Sequence, residues 1–211
     1  MIPPTGARQG ADGLDRCWWC VGDPLYEEYH DVEWGRPILD DDRLFEKLCL
    51  EGFQSGLSWL TILRKRENFR KAFKSFDIES VARFTARSVD RLLSDAGIVR
   101  HRGKIEASIN NARRTLELIE EYGSLSGYVW SYEPGSGSRP LELDWSTLEK
   151  TTTNPEATRM SKDLKRRGWA FVGPTTVYSF MESVGLVNDH VTACAFREEV
   201  EVERGRFLRP A

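Results

Sequence analysis

Apolar side chains at Ile105, Ile109, Ala112, Leu116 and Ile119 return every three or four positions. That is the repeat of an α-helix burying one face, with Glu, Asn and Arg left on the other. The same spacing recurs along the chain. Leu44, Phe45, Leu48 and Cys49 predict a helix capped by Asp40, interrupted over Gly52–Gly56. A second runs from about Ser58 through Leu60, Leu63, Phe69, Ala72 and Phe73, followed by short helices near Ile78–Phe84 and Val89–Leu93. Another spans about Glu156–Arg167, with Gly168 placed as a C-terminal glycine, and Pro174 opens a last one carrying Val177, Phe180 and Met181. The only alternation of strand type is a weak Val200-Glu201-Val202. The fold expected is therefore all-α. Glu133–Pro140 is read as an exposed loop, Met1–Gly13 as a flexible tail with little to bury, 14–196 as the folded domain, and 197–211 as a charged C-terminal extension.

The 211 residues hold 30 Lys+Arg against 33 Asp+Glu, a formal charge of −3, which excludes a globally basic binder while leaving room for a local basic surface. No apolar run approaches the roughly 18 residues of a membrane span, and Met1-Ile2-Pro3-Pro4 does not open like a secretory leader. A reducing cytoplasm is the expected compartment, with the four cysteines free or on a metal.

Cys17, Cys20, His30, His190 and Cys194 are soft-metal ligand types, and four of them make a closed tetrahedral site. His190 and Cys194 sit four apart and can share a helical face, whereas Cys17 and His30 lie near the other end of the folded chain. A site using all four pins both ends together across a very long loop. On spacing alone, core thiols behaving as small hydrophobes are the favoured reading. Trp18, Trp19, Tyr26, Tyr29, Trp34 and Trp59 crowd the amino-terminal part near Glu51, as a ligand-stacking wall or simply as core. Phe171-Val172-Gly173-Pro174-Thr175-Thr176, following the basic stretch around Lys165 and Arg166, is a glycine turn opening a helix, able to present N–H groups to a phosphate.

These blocks combine with Asp23-Pro24-Leu25-Tyr26, Tyr29-His30-Asp31, Glu33-Trp34-Gly35, Leu50-Glu51-Gly52, Gly56-Leu57-Ser58-Trp59, Lys65-Arg66-Glu67-Asn68, Arg100-His101-Arg102-Gly103-Lys104-Ile105, Tyr178-Ser179-Phe180-Met181 and Gly185-Leu186-Val187-Asn188-Asp189-His190. In this order, from about Arg16 to Cys194, the chain resembles the DNA-3-methyladenine glycosylase I family of the helix-hairpin-helix glycosylase superfamily.

The resemblance implies two helical lobes around a base-binding cleft, with a hairpin near 165–185. It implies one structural Zn2+ on Cys17, His30, His190 and Cys194, with Cys20 outside the set. It places Glu51 as the catalytic carboxylate, Tyr29 and Trp59 in the base pocket with Tyr26 and Trp34 around them, and Phe171, Val172, Gly173, Thr175, Lys165 and Arg166 on DNA. The aspartate that other members of the superfamily carry after the hairpin falls on Asn188, with Asp189 out of register. Phe53 stands where a polar residue is common in the family. The activity implied is excision of 3-methyladenine from alkylated double-stranded DNA without strand cleavage, by a bacterial monomer acting at the nucleoid with no obligate protein partner. Two other classes share these residues: a zinc-stapled nucleic-acid reader without catalysis, and a zinc hydrolase. For the hydrolase, four protein ligands leave the metal no open position for water.

Overall fold

The computed structural model describes residues 2–135, 137–138, 140 and 142–210. Ser136 and Arg139 of the expected 133–140 loop lie outside the described residues. The helices follow the apolar spacing closely. Helix α1 is Pro24–Val32, α2 Asp41–Gln54, α3 Trp59–Ala72, α4 Ile78–Ala82, α5 Ala86–Ser94 and α6 Arg102–Tyr122. After these come α7 Leu125–Trp130, α8 Trp145–Leu148, α9 Pro155–Arg166, α10 Pro174–Ser183 and α11 Arg197–Arg206.

Local chemistry accounts for the boundaries. The Asp40 carboxylate accepts from Arg43 N at 2.8 Å at the start of α2, and Ser58 Oγ accepts from Thr61 N at the start of α3. Each satisfies an N–H that the first turn leaves without a helical partner. Helix α2 continues through Gly52 to Gln54 before it stops, so the expected interruption begins only beyond Gln54.

Two expectations are corrected. The amino-terminal segment is not a mobile tail: β1, Ala7–Gln9, pairs antiparallel with β2, Asp15–Cys17, with Ala7 opposite Cys17. The backbone hydrogen bonds from Trp18 N to Gly6 O and from Trp145 N to Pro4 O fix it further, and Ala7 is buried. Val200-Glu201-Val202 belongs to a helix, α11, whose Val200 is fully buried. That helix is docked by Arg36 to Glu199 and Glu203 and by Arg204 to Glu133 and Gly185 O.

Two buried clusters result. The larger joins α2, α3, α4, α5, α6, α7, α9 and α10 around Phe45, Phe53, Phe69, Phe73, Tyr128 and Phe180. The smaller gathers Ala7, Cys17, Tyr29, Trp34, Leu63, Val191 and Cys194 from both ends of the chain. Trp59 packs against both, so the cleft between them opens beside its ring. At Gly185, with φ +80°, a Cβ would stand 2.7 Å from the backbone of Arg36 and Pro37. Only glycine admits that approach of the α10 end to the segment after α1. Among the described residues no helix is long and apolar enough to cross a membrane.

Candidate functional site: a four-ligand cluster and an aromatic pocket

The ligating atoms of Cys17, His30, His190 and Cys194 lie within 4.8 Å of one another, all four residues buried. His190 Nδ1 is 3.1 Å from His30 Nε2, 3.4 Å from Cys194 Sγ and 3.8 Å from Cys17 Sγ, and Cys194 Sγ is 3.6 Å from His30 Nε2. A tetrahedral zinc with Zn–S of about 2.3 Å and Zn–N of about 2.0–2.1 Å sets its ligand atoms about 3.3–3.8 Å apart, so this donor set fits such an ion. The Cys17 hydrogen bond and the two imidazoles drive Cys194 far down toward thiolate, burial holds His190 low, and burial with the neighbouring Cys194 pushes the Cys17 thiol well up, so binding of an ion would release the Cys17 proton.

The outer contacts orient the rings. His30 Nδ1 meets Asp31 Oδ1 at 2.8 Å, Asp31 is gripped by Arg16 at 2.8–3.0 Å, and His190 Nε2 faces Trp34 O at 3.3 Å. Such partners fix which nitrogen a ligand histidine offers. Gly35 lets the chain pass there, since a Cβ on it would stand 3.2 Å from His190 Nε2. Cys20 is buried outside the set, its thiol donating to Cys17 O at 3.2 Å.

Beside the cluster lies a cavity of about 220 Å³ lined by Trp19, Tyr26, Tyr29, Trp34, Glu51, Gln54, Trp59, Ser179 and Glu182. The structure thus brings Glu51, Tyr29, Trp59, Tyr26 and Trp34 to one wall system. The Tyr29 and Trp59 rings are 5.4 Å apart, and Trp19 packs against Tyr26 at 4.8 Å and Trp34 at 5.0 Å. Tyr29 Oη and Trp59 Nε1 are buried with no hydrogen-bond partner. Buried polar atoms normally have one, so both are poised for a ligand's polar atoms. Burial pushes the Glu51 carboxyl up to about 8, with Lys47 opposing and Glu182 adding to the rise. Lys47 itself is ion-paired to Glu33 at 2.8 Å, and Glu33 also accepts from Arg66 at 2.6 Å. The nearest cation is therefore shared with another carboxylate.

Gln54, Ser179 and Glu182 were missed at the level of sequence. Ser179 and Glu182 stand three apart on α10 and so share a helix face, a signal visible only once α10 is known to border the pocket. Trp18 packs on Trp145 instead, at 5.3 Å. Phe53 turns into the core against Phe69. Asn188 donates to Arg197 O and Glu201, and Asp189 accepts from Tyr178 Oη at 2.6 Å, so neither lines the pocket.

The turn between α9 and α10 is braced from beneath. Asn111 exchanges two 3.0 Å hydrogen bonds with Ala170, Asn110 donates to Gly168 O at 2.8 Å, and Ser161 Oγ donates to Val172 O at 2.6 Å. Phe171 projects from it with φ +57°, 38 % exposed. Val172 is buried, and Gly173 caps α10 without a side-chain hydrogen bond, leaving the first N–H groups of the helix for another partner. Lys165 and Arg166 are exposed on the last turn of α9.

A family model described as methyladenine glycosylase matches residues 19–198. The chain is 48% identical over 182 residues to the DNA-3-methyladenine glycosylase 1 of Escherichia coli (strain K12), covering 86% of this chain and 96% of that one. Among solved structures, a Tyr-to-Phe variant of 3-methyladenine DNA glycosylase I in complex with 3-methyladenine superposes with a TM-score of 0.80 at 42% identity, covering 86% of this chain and 97% of that one. A Glu-to-Gln variant of the Staphylococcus aureus enzyme gives 0.79 at 41% identity over 86% and 97%.

Proposed function

The chain belongs to the methyladenine glycosylase family, and from that premise we propose that it excises 3-methyladenine from alkylated double-stranded DNA, leaving free base and an abasic site. The observation that carries this reading is the pocket itself: a buried carboxyl, Glu51, among aromatic rings whose Tyr29 Oη and Trp59 Nε1 have no protein partner. In the two variant structures the substituted tyrosine and glutamate are 22 positions apart in number, as Tyr29 and Glu51 are here.

Methylation at N3 gives adenine a positive charge, so the base departs from the sugar as a neutral leaving group and needs little activation. The enzyme's task is to take the nucleotide out of the stack, at a cost of a few kcal/mol that is least for a weakened pair. The cation then stacks on Trp59 and Tyr29, an interaction worth on the order of 1–3 kcal/mol per base. Ionised Glu51 offers only acceptors and meets the exocyclic amine. Neutral adenine has the same amine but lacks the charge, so it gains less from both the carboxylate and the rings. Glu51, largely protonated at neutral pH in the free pocket, gives up its proton as the cation enters. Water adds to the anomeric carbon as the glycosidic bond breaks. Among the described residues no lysine lines the pocket, so no Schiff base is expected and the strand stays intact.

The Cys17, His30, His190 and Cys194 cluster would hold one Zn2+. With all four positions taken by Cys17, His30, His190 and Cys194, such an ion would tie the two ends of the chain together and would leave the chemistry at the sugar to the pocket residues. Phe171, Val172, Gly173 and Thr175 carry a DNA phosphate on backbone N–H groups, with Lys165 and Arg166 adding charge. A monomer acting at the bacterial nucleoid, in the cytoplasm, suffices for this chemistry. Incubation of methylated duplex with the protein and chromatography of the released bases tests the reading. Free 3-methyladenine is expected, and a protein that binds the duplex yet releases no base is a reader of DNA and not a glycosylase.

A further inference from the structure

The aromatic pocket contains two carboxylates, contributed by elements far apart in sequence. Glu51 comes from α2 and Glu182 from α10, and both line the cavity of about 220 Å³. A neutral purine has no use for a second negative charge in so small a space. A cationic one does.

We propose that Glu182 is a specificity-determining residue that, together with Glu51, sets the pocket's preference for cationic over neutral purines. The inference rests on the glycosylase reading above and deepens it by assigning charge selection to a pair of residues. The groups facing Glu51 are Lys47 from its own helix, Tyr26 and Tyr29 from α1, and Glu182 from α10. Lys47 is in turn neutralised by Glu33, which Arg66 of α3 also holds. Glu182 is the second acidic group on the pocket wall, contributed by α10 and only half-buried. Its charge has two effects of opposite sign. It attracts a cation, and it makes the Glu51 proton harder to remove when no cation is present.

Those opposing effects give a pH signature that a packing role lacks. Glu182→Gln keeps the shape and removes the charge. The probe is 3,9-dimethyladeninium, a fixed cation whose 9-methyl group stands for the sugar attachment, with neutral 9-methyladenine as its partner. Binding is read from tryptophan fluorescence, since Trp19, Trp34 and Trp59 all line the cavity, across pH 6 to 9.5. In the native protein the affinity for the cation should rise with pH as Glu51 ionises. In Glu182→Gln that rise should move toward acid, while affinity on the alkaline plateau falls roughly two- to fivefold, the range of a partly exposed charge pair. The two curves therefore converge or cross at low pH, and 9-methyladenine binds both proteins alike.

An equal loss for both probes at every pH would show that Glu182 only shapes the wall. Unchanged curves would show that its charge does not reach the ligand. Either outcome overturns the proposal. Excision of 3-methyladenine from methylated duplex by the native protein is measured beside it. Native excision with unchanged Glu182→Gln binding sinks the proposal alone, and absent native excision sinks the glycosylase reading on which it rests.

Discussion

His30 and His190, 160 positions apart, bring Nε2 and Nδ1 to 3.1 Å inside a fully buried cluster. Neither lies within a regular element of the other's end of the chain: His30 is in the last turn of α1, and His190 follows α10 in an irregular stretch. Supporting contacts come from the β1–β2 hairpin and from Ala195 N, which donates to Asp15 O at 2.9 Å. The amino and carboxyl ends thus close on each other over the smaller core, and the base pocket sits against that closure because Tyr29 precedes His30 and Trp34 packs on both imidazoles.

Metal content is the first expected outcome. The native protein should carry one zinc per chain. Cys194→Ala should lose it, with a large fall in melting temperature, because a structural zinc contributes on the order of 10–16 kcal/mol, comparable to the stability of a whole domain. Cys20→Ala should keep its zinc, since that thiol points to Cys17 O. Elemental analysis and thermal melting of the three proteins check this, and full metal content in Cys194→Ala would refute the assignment.

Asp31 supplies a finer test. It bridges the His30 ring to Arg16, which also holds Asp12. Asp31→Asn retains size and one acceptor but loses the charge, and should weaken zinc affinity about 10- to 100-fold, the usual cost of a lost outer-shell carboxylate. Competition against a chromophoric chelator measures it. The base pocket should remain intact while zinc is saturating.

The parts of this molecule legible in the sequence are those in which one residue's chemistry is enough to announce it. Asp40 and Ser58 at helix starts and the 105–119 stripe each carried their own signal, whereas the soft ligands at the two ends left a core-thiol reading open until the family resemblance singled out four of them. The amino-terminal hairpin did not, because three glycines and two prolines within Met1–Gly13 read as chain with nothing to bury, whereas Ala7 is covered by distant residues. Helix α11 was obscured by its charge, and its anchor is the single buried Val200. Ser179, Glu182 and Gln54 were hidden for a third reason. Their place in the pocket depends on how α2 and α10 cross, which no local pattern encodes.

Glu51 should trade stability for recognition. Its carboxyl is raised from an ordinary 4.5 to about 8 by burial. Between those values the folded protein keeps a proton that the unfolded chain has released. Its contribution is therefore complete below about pH 4.5 and is lost progressively as pH rises to about 8, an effect on the order of a few kcal/mol. Glu51→Gln is exempt. The variant should melt higher than the native protein at pH 9 by more than it does at pH 5, with zinc retained, while single-turnover release of 3-methyladenine falls sharply. Full excision by Glu51→Gln would move recognition to the aromatic walls.

The braced turn predicts how the protein holds undamaged DNA. Asn110, Asn111 and Ser161 engage the carbonyls of Gly168, Ala170 and Val172, so the turn is a preset backbone that binding need not order. Around it, Lys165 and Arg166 are exposed, although Arg166 already pairs with Asp163 in the free protein. Lys165→Ala should therefore cost more affinity than Arg166→Ala, because a phosphate competes for Arg166 with a carboxylate already in place. Both losses should be equal on methylated and unmethylated duplex, since phosphate contacts carry no base information. Each contact removed should lower the slope of log affinity against log salt by about one. Fluorescence anisotropy between about 50 and 200 mM salt reads all three quantities, and a native affinity indifferent to salt would show that the turn and its lysine do not track the backbone.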